Sequence, residues 1–252
     1  MNIRKNLAAN ARIVREAPLR ALTNACTAVV LLPWVGLWGV CEAALLFCMR
    51  RRWSLEERII HVGNLTREWL GPQVFKLLGT HVEYRGLEHF DDGRCYVVVV
   101  NHVSLFDVVA MLRAPRFRFI SKTAMMFTPI GWMGRWGGQI FVDYKKPGAS
   151  MDVIRAAVKE APDFNFIFFG EGTRSTDGKV QKLRPGAMKI ANSFGYSVIP
   201  VRIDGAYEAL PKGPFLGFKR GKKIVVTFGA PLPPRDDVEQ FAEEVRAAIL
   251  AL

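Results

Sequence analysis

The chain has 252 residues, half of them hydrophobic, and a formal net charge of +12. This length fits one large domain, or one domain with an appendage, and is enough to bury a stable core without disulfide bonds. The four cysteines form no C-x-x-C pair and the four histidines no close-spaced pair, so the sequence predicts neither a disulfide framework nor a metal site.

The positive charge is concentrated in two stretches of the chain. Residues 1–52 carry eight basic and two acidic side chains, and residues 113–146 carry seven basic side chains and one aspartate. Such regions attract phosphate groups, which nucleic acids, anionic lipids and phosphorylated substrates all carry. Because the first stretch is also strongly hydrophobic, we expect an anionic membrane surface as the partner and no nucleic acid.

The first 52 residues are predicted to form a membrane-association segment. Between residues 21 and 49 only Glu42 is charged, and the run is long enough for a transmembrane helix. Pro33, Gly36 and Gly39 interrupt this run, and a charge inside it is costly in hydrocarbon. Basic residues flank both ends, so charge gives no direction of crossing. We therefore expect a helical hairpin of two short helices on the cytoplasmic face of the inner membrane; a single span, a soluble core hairpin and a signal peptide are the alternatives.

Residues 53–252 have the pattern of one α/β domain. Ser54 and Glu57 form a capping box, from which an amphipathic helix is predicted to run to about residue 78. Residues 81–86 alternate like an edge strand, and residues 95–100 are a continuous apolar run, typical of a strand covered on both faces. Further strands are predicted at 117–121, 139–142, 164–169, 197–201 and 224–228. Further helices are predicted at 105–113, 150–160, 187–194 and 238–250.

This alternation of strands and helices predicts a mixed, mostly parallel sheet flanked by helices. Functional sites in such sheets lie at the carboxyl ends of the strands. Residues 127–141 are rich in tryptophan and glycine and are predicted to form an apolar loop. That loop either packs in the core or lines an acyl pocket and contacts lipid, with Trp132 and Trp136 at the interface.

The predicted strand at 95–100 leads directly into His102, and Asp107 follows five residues later. A histidine at a strand end can accept a proton from a hydroxyl group near neutral pH, and a carboxylate beside it fixes its tautomer. Ser104 and Asp107 also fit an acidic variant of the capping box, in which both only begin the next helix. A nucleophilic Ser104 is a weak alternative, because no G-x-S-x-G motif surrounds it.

A second polar cluster follows the predicted strand at 164–169. It contains Glu171, Gly172, Thr173 and Arg174. Glycine lets backbone amides approach a ligand, and arginine can bind a phosphate through two hydrogen bonds. A solvated charged turn is the alternative for this cluster alone. Two such strand ends in one sheet, one with a base and one with anion donors, favour a shared site.

Four blocks of the sequence together resemble the glycerolipid acyltransferases, of the 1-acyl-glycerol-3-phosphate acyltransferase type. In chain order these are NHVSLFD at 101–107, GGQIFVDYKK at 137–146, FGEGTRS at 169–175 and VIPVRI at 198–203. The first matches the family's N-H-x-x-x-x-D signature and the third its E-G-T-R-S block. H-x-x-x-x-D alone is a weak signal, whereas the four blocks in this order are specific. An N-terminal pair of membrane-associated helices is also a feature of this family.

The resemblance implies an acyl transfer without an acyl-enzyme intermediate. His102 would be the general base for a glycerol hydroxyl, and Asp107 would orient it. The hydroxyl would attack the thioester of acyl-CoA or acyl carrier protein, and no other cofactor is expected. Pro200 would shape the wall of the site. We further expect backbone amides near Gly172 to stabilise the oxyanion.

The phosphorylated acceptor, lysophosphatidic acid, would be bound by residues of the third block and by nearby cations. These expected substrate-binding residues are Lys122, Lys145, Lys146, Glu171, Gly172, Thr173, Arg174 and Arg184.

The sequence departs from the family at two places. Tyr144 stands where the second block usually has arginine, and Lys145 or Lys146 is expected to supply the missing charge. The family's phenylalanine-lysine-x-glycine is replaced by a sequence that contains Arg184. Lysine does not reproduce the two parallel hydrogen bonds of arginine, so a different lysolipid acceptor is an alternative. A lipid hydrolase with the same His–Asp pair, and a basic protein that only binds anionic lipid or nucleic acid, are weaker alternatives.

Overall fold

The apolar runs of the chain form a seven-stranded sheet in a computed structural model that describes residues 3–90, 93–143, 145–213 and 217–252. Along the sheet the strands follow the order β1-β7-β6-β2-β5-β3-β4. Their bounds are β1 His81–Arg85, β2 Val97–Val100, β3 Phe117–Lys122, β4 Ile140–Val142, β5 Asn165–Phe169, β6 Val198–Asp204 and β7 Lys223–Phe228.

The five strands from β6 to β4 run parallel to one another. At the other end of the sheet β7 pairs antiparallel with β6, and β1 pairs parallel with β7 as the edge strand. The sheet is therefore mixed and mostly parallel, as predicted. All five parallel strands bring their carboxyl ends to the same edge, where the two polar clusters of the sequence follow β2 and β5.

Helices lie on both faces of the sheet, as predicted. Their bounds are α1 Ile3–Glu16, α2 Pro18–Met49, α3 Leu55–Leu65, α4 Gly71–Leu78, α5 Phe106–Ala110, α6 Pro129–Trp136, α7 Pro147–Glu160, α8 Gly186–Phe194, α9 Ala206–Ala209 and α10 Val238–Ala251. A π-helical turn, Thr66–Leu70, joins α3 to α4. Turns of 3₁₀-helix cover Leu87–Phe90, Met111–Arg113 and Thr123–Phe127. The capping box predicted from Ser54 and Glu57 begins α3.

The core forms two layers, one on each face of the sheet. Successive side chains of a strand point to opposite faces, so β2 contributes to both layers. Val98 and Val100 pack in the layer that contains residues of α2, α4 and α5. Val97 and Val99 pack in the layer that contains residues of α7, α8 and α10. All four valines are fully buried, which explains why this strand is a continuous apolar run without alternation.

The N-terminal apolar segment differs from its prediction, because α2 is one continuous helix of 32 residues. Pro33 lies inside the helix on its exposed side, and the chain does not reverse there. The buried side of the same helix packs along the domain from Ala21 to Leu46, so tertiary contacts keep the helix continuous through a residue that usually interrupts one. The expectation of two short helices within residues 21–49 is therefore wrong.

The tryptophan-rich stretch also differs from its prediction as a loop. Thr128 accepts a hydrogen bond from the N–H of Gly131 at 3.0 Å, and Pro129 occupies the first helical position, so α6 has a regular beginning. Trp136 packs against Phe47 of α2 with 5.2 Å between ring centroids. Trp132 is 45% exposed. One face of the stretch therefore packs against α2, and the other face is exposed.

Candidate active site

His102 and Asp107 are in direct contact at the carboxyl end of β2. His102 Nδ1 lies 2.8 Å from Asp107 Oδ2. The same carboxylate oxygen accepts the backbone N–H of Val103 at 2.6 Å and that of Ser104 at 2.8 Å. A carboxylate oxygen that accepts two backbone N–H groups also acts as an acceptor toward the imidazole. The proton of the neutral imidazole is therefore assigned to Nδ1, which donates to Asp107. His102 Nε2 is then left with its lone pair available to accept a proton.

Asp107 is completely buried, whereas the side chain of His102 is 16% exposed. The aspartate thus orients the histidine from the buried side, and part of the histidine side chain remains accessible. Phe169 stacks on the imidazole with 4.2 Å between centroids and 26° between planes. Phe119 in turn stacks on Phe169. Phe169 therefore covers one face of the histidine and shields it from water, and Phe119 lies behind Phe169.

Ser104 is not placed as a nucleophile. It is fully buried, and its hydroxyl donates to the carbonyl of Leu210 at 2.8 Å and accepts the N–H of Phe106 at 3.2 Å. The capping interpretation of Ser104 and Asp107 is met only in part: Asp107 accepts the backbone N–H of Ser104, but α5 begins after Leu105, which has no side-chain cap. This arrangement does not compete with a His–Asp pair. The carboxylate that receives the backbone N–H groups is the same one that contacts the histidine.

Glu171 follows the neighbouring strand β5 and contacts the histidine loop. Its carboxylate accepts the backbone N–H of His102 at 3.1 Å, and the side chain is 4% exposed. Burial raises the pKa of Glu171 to about 7, while hydrogen bonds from the backbone of His102 and Gln181 oppose that rise. Among the described residues, Glu171 Oε2 has no hydrogen-bond partner, which leaves the ionised form poorly stabilised.

Gly172, Thr173 and Arg174 form the turn beyond Glu171. Gly172 has a φ of +70°, and a Cβ there would lie 2.8 Å from Nε of Arg184, so only glycine fits. Its N–H donates to the carbonyl of Phe169 at 2.9 Å. The amide of Gly172 itself is therefore occupied, so any oxyanion donors near Gly172 would be neighbouring amides. Across the described part of the chain the N–H groups of Thr173 and Arg174 have no acceptor, and they remain as donors.

The cations named from the sequence are distributed along the same edge of the sheet. Arg184 lies beside Gly172 and is exposed. Lys122 ends β3, the strand next to β5. Lys145 and Lys146 follow β4, which is two strands or roughly 10 Å from β5. The structure therefore places Arg184 at the turn and the two lysines further along the edge. Tyr144 lies outside the described residues.

One cation at this edge has no signal in the sequence. Lys212 Nζ donates to the backbone carbonyl of Arg174 at 2.8 Å and to Thr173 Oγ1 at 3.3 Å. It lies 38 residues after Arg174, beyond β6 and α9, and is part of none of the four blocks. Only the order of strands in the sheet brings it to the turn.

The mixed sheet carries a His–Asp pair and an adjacent cationic turn at one edge. Residues 81–204 match the family described as Acyltransferase, in agreement with the resemblance that the four blocks carry. The fold of the chain resembles that of PlsC, the 1-acyl-sn-glycerophosphate (LPA) acyltransferase of Thermotoga maritima. The TM-score is 0.76 at 25% identity, over 91% of this chain and 94% of that one.

Several curated relatives are named 1-acyl-sn-glycerol-3-phosphate acyltransferase. A 1-acyl-sn-glycerol-3-phosphate acyltransferase of Chlamydomonas reinhardtii is 31% identical over 61% of this chain and 47% of its own length. The human 1-acyl-sn-glycerol-3-phosphate acyltransferase alpha is 28% identical over 70% of this chain and 65% of its own length. The chain spans about half the length of the Chlamydomonas relative and of two chloroplast relatives, from Arabidopsis thaliana and Brassica napus.

Proposed function

We propose that this protein transfers a fatty acyl group from a thioester to the free hydroxyl of lysophosphatidic acid, which yields phosphatidic acid. One observation carries the proposal: a His–Asp pair at the end of β2 lies beside a cationic turn at the end of β5. The names of the curated relatives support this acceptor. Acyl-CoA or acyl carrier protein would deliver the acyl group, and the chemistry needs no metal ion or other cofactor.

In the proposed reaction His102 Nε2 takes the proton from the acceptor hydroxyl as its oxygen attacks the thioester carbonyl. The new C–O bond forms, the C–S bond breaks, and the imidazolium returns the proton to the departing thiolate. Asp107 holds the imidazole by its Nδ1–H and stabilises the positive charge that develops on the ring. The stacked ring of Phe169 limits access of water, which favours transfer to a lipid hydroxyl over hydrolysis.

The turn after β5 would bind the phosphate of the acceptor. Arg174 has no side-chain partner within the described ranges, so its guanidinium is available for a bidentate pair with phosphate. The N–H groups of Thr173 and Arg174 and the guanidinium of Arg184 add further donors. Glu171 does not face the phosphate as a ligand in this scheme; it joins the turn to the histidine loop through the backbone of His102. Lys122, Lys145 and Lys146 would extend the positive field along the sheet edge.

We also propose that the protein works on the surface of a membrane. Among the described residues α2 is the helix that is long and apolar enough to cross a bilayer by length and composition. Its outer side exposes large apolar side chains, among them Leu19 and Val29, and the neighbouring Phe127 is 81% exposed. Basic residues flank the helix at both ends, which suits the anionic lipid of a cytoplasmic leaflet.

The direct test is turnover by the purified protein in detergent or in vesicles. Lysophosphatidic acid is supplied with palmitoyl-CoA or palmitoyl-acyl carrier protein, and products are identified by mass spectrometry. We expect phosphatidic acid with at least one donor, and a loss of at least about 1,000-fold in kcat/KM for His102→Ala, because the base is then absent. His81→Ala, which removes an exposed histidine from the edge strand β1, serves as the matched control.

Two outcomes would contradict the proposal. Turnover by His102→Ala at the rate of the parent protein, with the fold intact by circular dichroism, would remove the assigned base. Release of free fatty acid at the same rate with and without lysophosphatidic acid would indicate a hydrolase. A panel of other lysolipids in the same assay tests whether the replacement of arginine by Tyr144 changes the acceptor.

A further inference from the structure

The segment that follows β6 contacts both loops of the candidate site. Lys212 Nζ donates to the backbone carbonyl of Arg174 at 2.8 Å and to Thr173 Oγ1 at 3.3 Å. Two residues earlier, the carbonyl of Leu210 accepts the hydroxyl of Ser104, which lies between the two members of the His–Asp pair. We call the loop at 101–105 the histidine loop and residues 172–178 the phosphate turn. Residues 206–212 connect the two, and we call them the brace.

A second contact of the brace fixes the far side of the turn. The hydroxyl of Tyr207 donates to the carbonyl of Thr176 at 2.9 Å. The ring of Tyr207 also lies where a side chain at Gly178 would be, 2.8 Å from an ideal Cβ. The phosphate turn is therefore held at its near end by Lys212 and at its far end by Tyr207, which leaves its backbone little freedom to move.

The ammonium group of Lys212 still has a donor to spare. A lysine carries three N–H donors, and the contacts above use two of them. The side chain is exposed at the surface of the site. By accepting a bond from Lys212, the Thr173 hydroxyl is left with its own hydrogen to donate. Lys212 thus places one ammonium and one hydroxyl donor beside the guanidinium of Arg174.

We propose that Lys212 positions the phosphorylated acceptor: it fixes the backbone of Arg174 and adds a cation to the phosphate site. This inference rests on the proposed function. A lysine that holds the turn and neutralises phosphate contributes to binding of the acceptor and not to proton transfer at His102. Its removal should therefore change KM for lysophosphatidic acid much more than kcat.

The test compares three variants of the full-length protein. Lys212→Met removes both the charge and the hydrogen bonds, and Lys212→Gln keeps a neutral N–H donor on a side chain one bond shorter. We expect Lys212→Met to raise KM for lysophosphatidic acid about 10- to 100-fold, as for loss of charge-assisted hydrogen bonds, with kcat within about threefold of the parent. Lys212→Gln should give an intermediate KM. Lys159→Met, which removes an exposed lysine at the end of α7, is the charge-matched control and should leave both constants unchanged.

A binding measurement separates this inference from the proposed function. The rise in melting temperature on addition of lysophosphatidic acid reports binding without turnover, and it should shrink in Lys212→Met but not in Lys159→Met. If the parent protein turns over lysophosphatidic acid and Lys212→Met keeps its KM within twofold, the role of Lys212 is wrong and the proposed function stands. A fall in kcat at unchanged KM would also overturn it. If the parent shows no turnover, the proposed function fails, and equal melting shifts for parent and variant would overturn the role of Lys212 as well.

Discussion

Glu171 is a buried carboxyl group in the middle of a site that is otherwise rich in cations. Its Oε1 holds the N–H of His102, but within the described residues its Oε2 has no partner. Burial is the main reason that its pKa rises to about 7 from an ordinary value of 4.5. The native protein therefore keeps a proton on Glu171 at pH values where the unfolded chain has lost it.

This pKa predicts a pH dependence of stability. Between about pH 4.5 and pH 7 the folded state binds one more proton than the unfolded state, so the free energy of unfolding falls as pH rises. The contribution of this one group is fully present below pH 4.5 and is lost by about pH 8, a change of about 3 kcal/mol. Glu171→Gln cannot ionise, so its stability relative to the parent should rise by about that amount over the same range.

Urea unfolding of the parent and of Glu171→Gln at several pH values measures this difference. The same change at Glu239, an exposed residue in the first turn of α10, is the control. If the difference in unfolding free energy between parent and Glu171→Gln is the same at pH 5 and pH 8, Glu171 does not hold its proton in the folded state.

At this scale the sequence reveals the residues that lie close together in the chain. His102 and Asp107 could be paired from their spacing because five residues span one strand end and the first turn of a helix. The turn from Glu171 to Arg174 could be found because it follows an apolar strand. Lys212 could not, since no local pattern distinguishes it from any exposed lysine, and only the placement of β6 beside β2 brings it to the turn.

Among the elements, α2 shows how one glycine sets the distance between two helices. Gly39 faces α6, and a Cβ at this position would lie 3.0 Å from backbone atoms of Pro129. Gly36, one turn earlier in the same helix, has no atom within 4 Å of its ideal Cβ. Both residues looked like interruptions of a helix in the sequence. Only Gly39 has a packing reason to be glycine.

The two glycines predict opposite effects on stability. Gly39→Leu should force α6 away from α2 and lower the free energy of unfolding by about 1–3 kcal/mol. Gly36→Ala should raise it by about 0.5–1 kcal/mol, because alanine favours a helix interior more than glycine does. Thermal unfolding in detergent measures both changes, at about 2–4 °C per kcal/mol for a chain of this size. Equal melting temperatures for the two variants would show that Gly39 does not contact α6 closely.

Element prediction failed where tertiary contacts override local preference. The strands and the helices of the second half of the chain follow from hydrophobic periodicity, because helices bury the apolar side chains on both faces of the sheet. The continuity of α2 through Pro33 does not follow from this periodicity. Proline destabilises a helix locally, whereas the packing that stabilises α2 extends from Ala21 to Leu46. The beginning of α6 at Thr128 and Pro129 did carry a signal, a side-chain cap followed by proline, which its glycines obscured.

For the whole molecule, the packing of α2 constrains the proposed association with a bilayer. The buried side of α2 contacts the domain from Asn24, whose side chain donates to the carbonyl of Phe218 at 2.8 Å, to Leu46, which packs with Met133 of α6. These contacts are 22 residues or roughly 33 Å apart along the helix axis. A helix that crossed the membrane in this arrangement would carry the adjoining parts of the domain into hydrocarbon.

That arrangement favours a helix that lies along the membrane surface with both ends on one side. The prediction is tested with single cysteines introduced at Arg15 and at Arg51, one on each flank of α2, after Cys26, Cys41, Cys48 and Cys95 have been replaced by serine. A third variant carries its cysteine at Lys159 and marks the side of the catalytic domain. In sealed vesicles of one orientation a membrane-impermeant maleimide should label all three variants or none of them.

The two topologies give different labelling patterns because a spanning helix separates its flanks. With both flanks and the domain on one side, the three cysteines react from the same face of the vesicle. If that face is the outer one, disruption of the membrane with detergent does not increase labelling of any variant. Labelling at Arg51→Cys and Lys159→Cys, with Arg15→Cys protected until detergent is added, would establish a single span. It would also require α2 to leave its contact with Phe218, so loss of the hydrogen bond in Asn24→Ala should then leave stability unchanged instead of lowering it by about 1 kcal/mol.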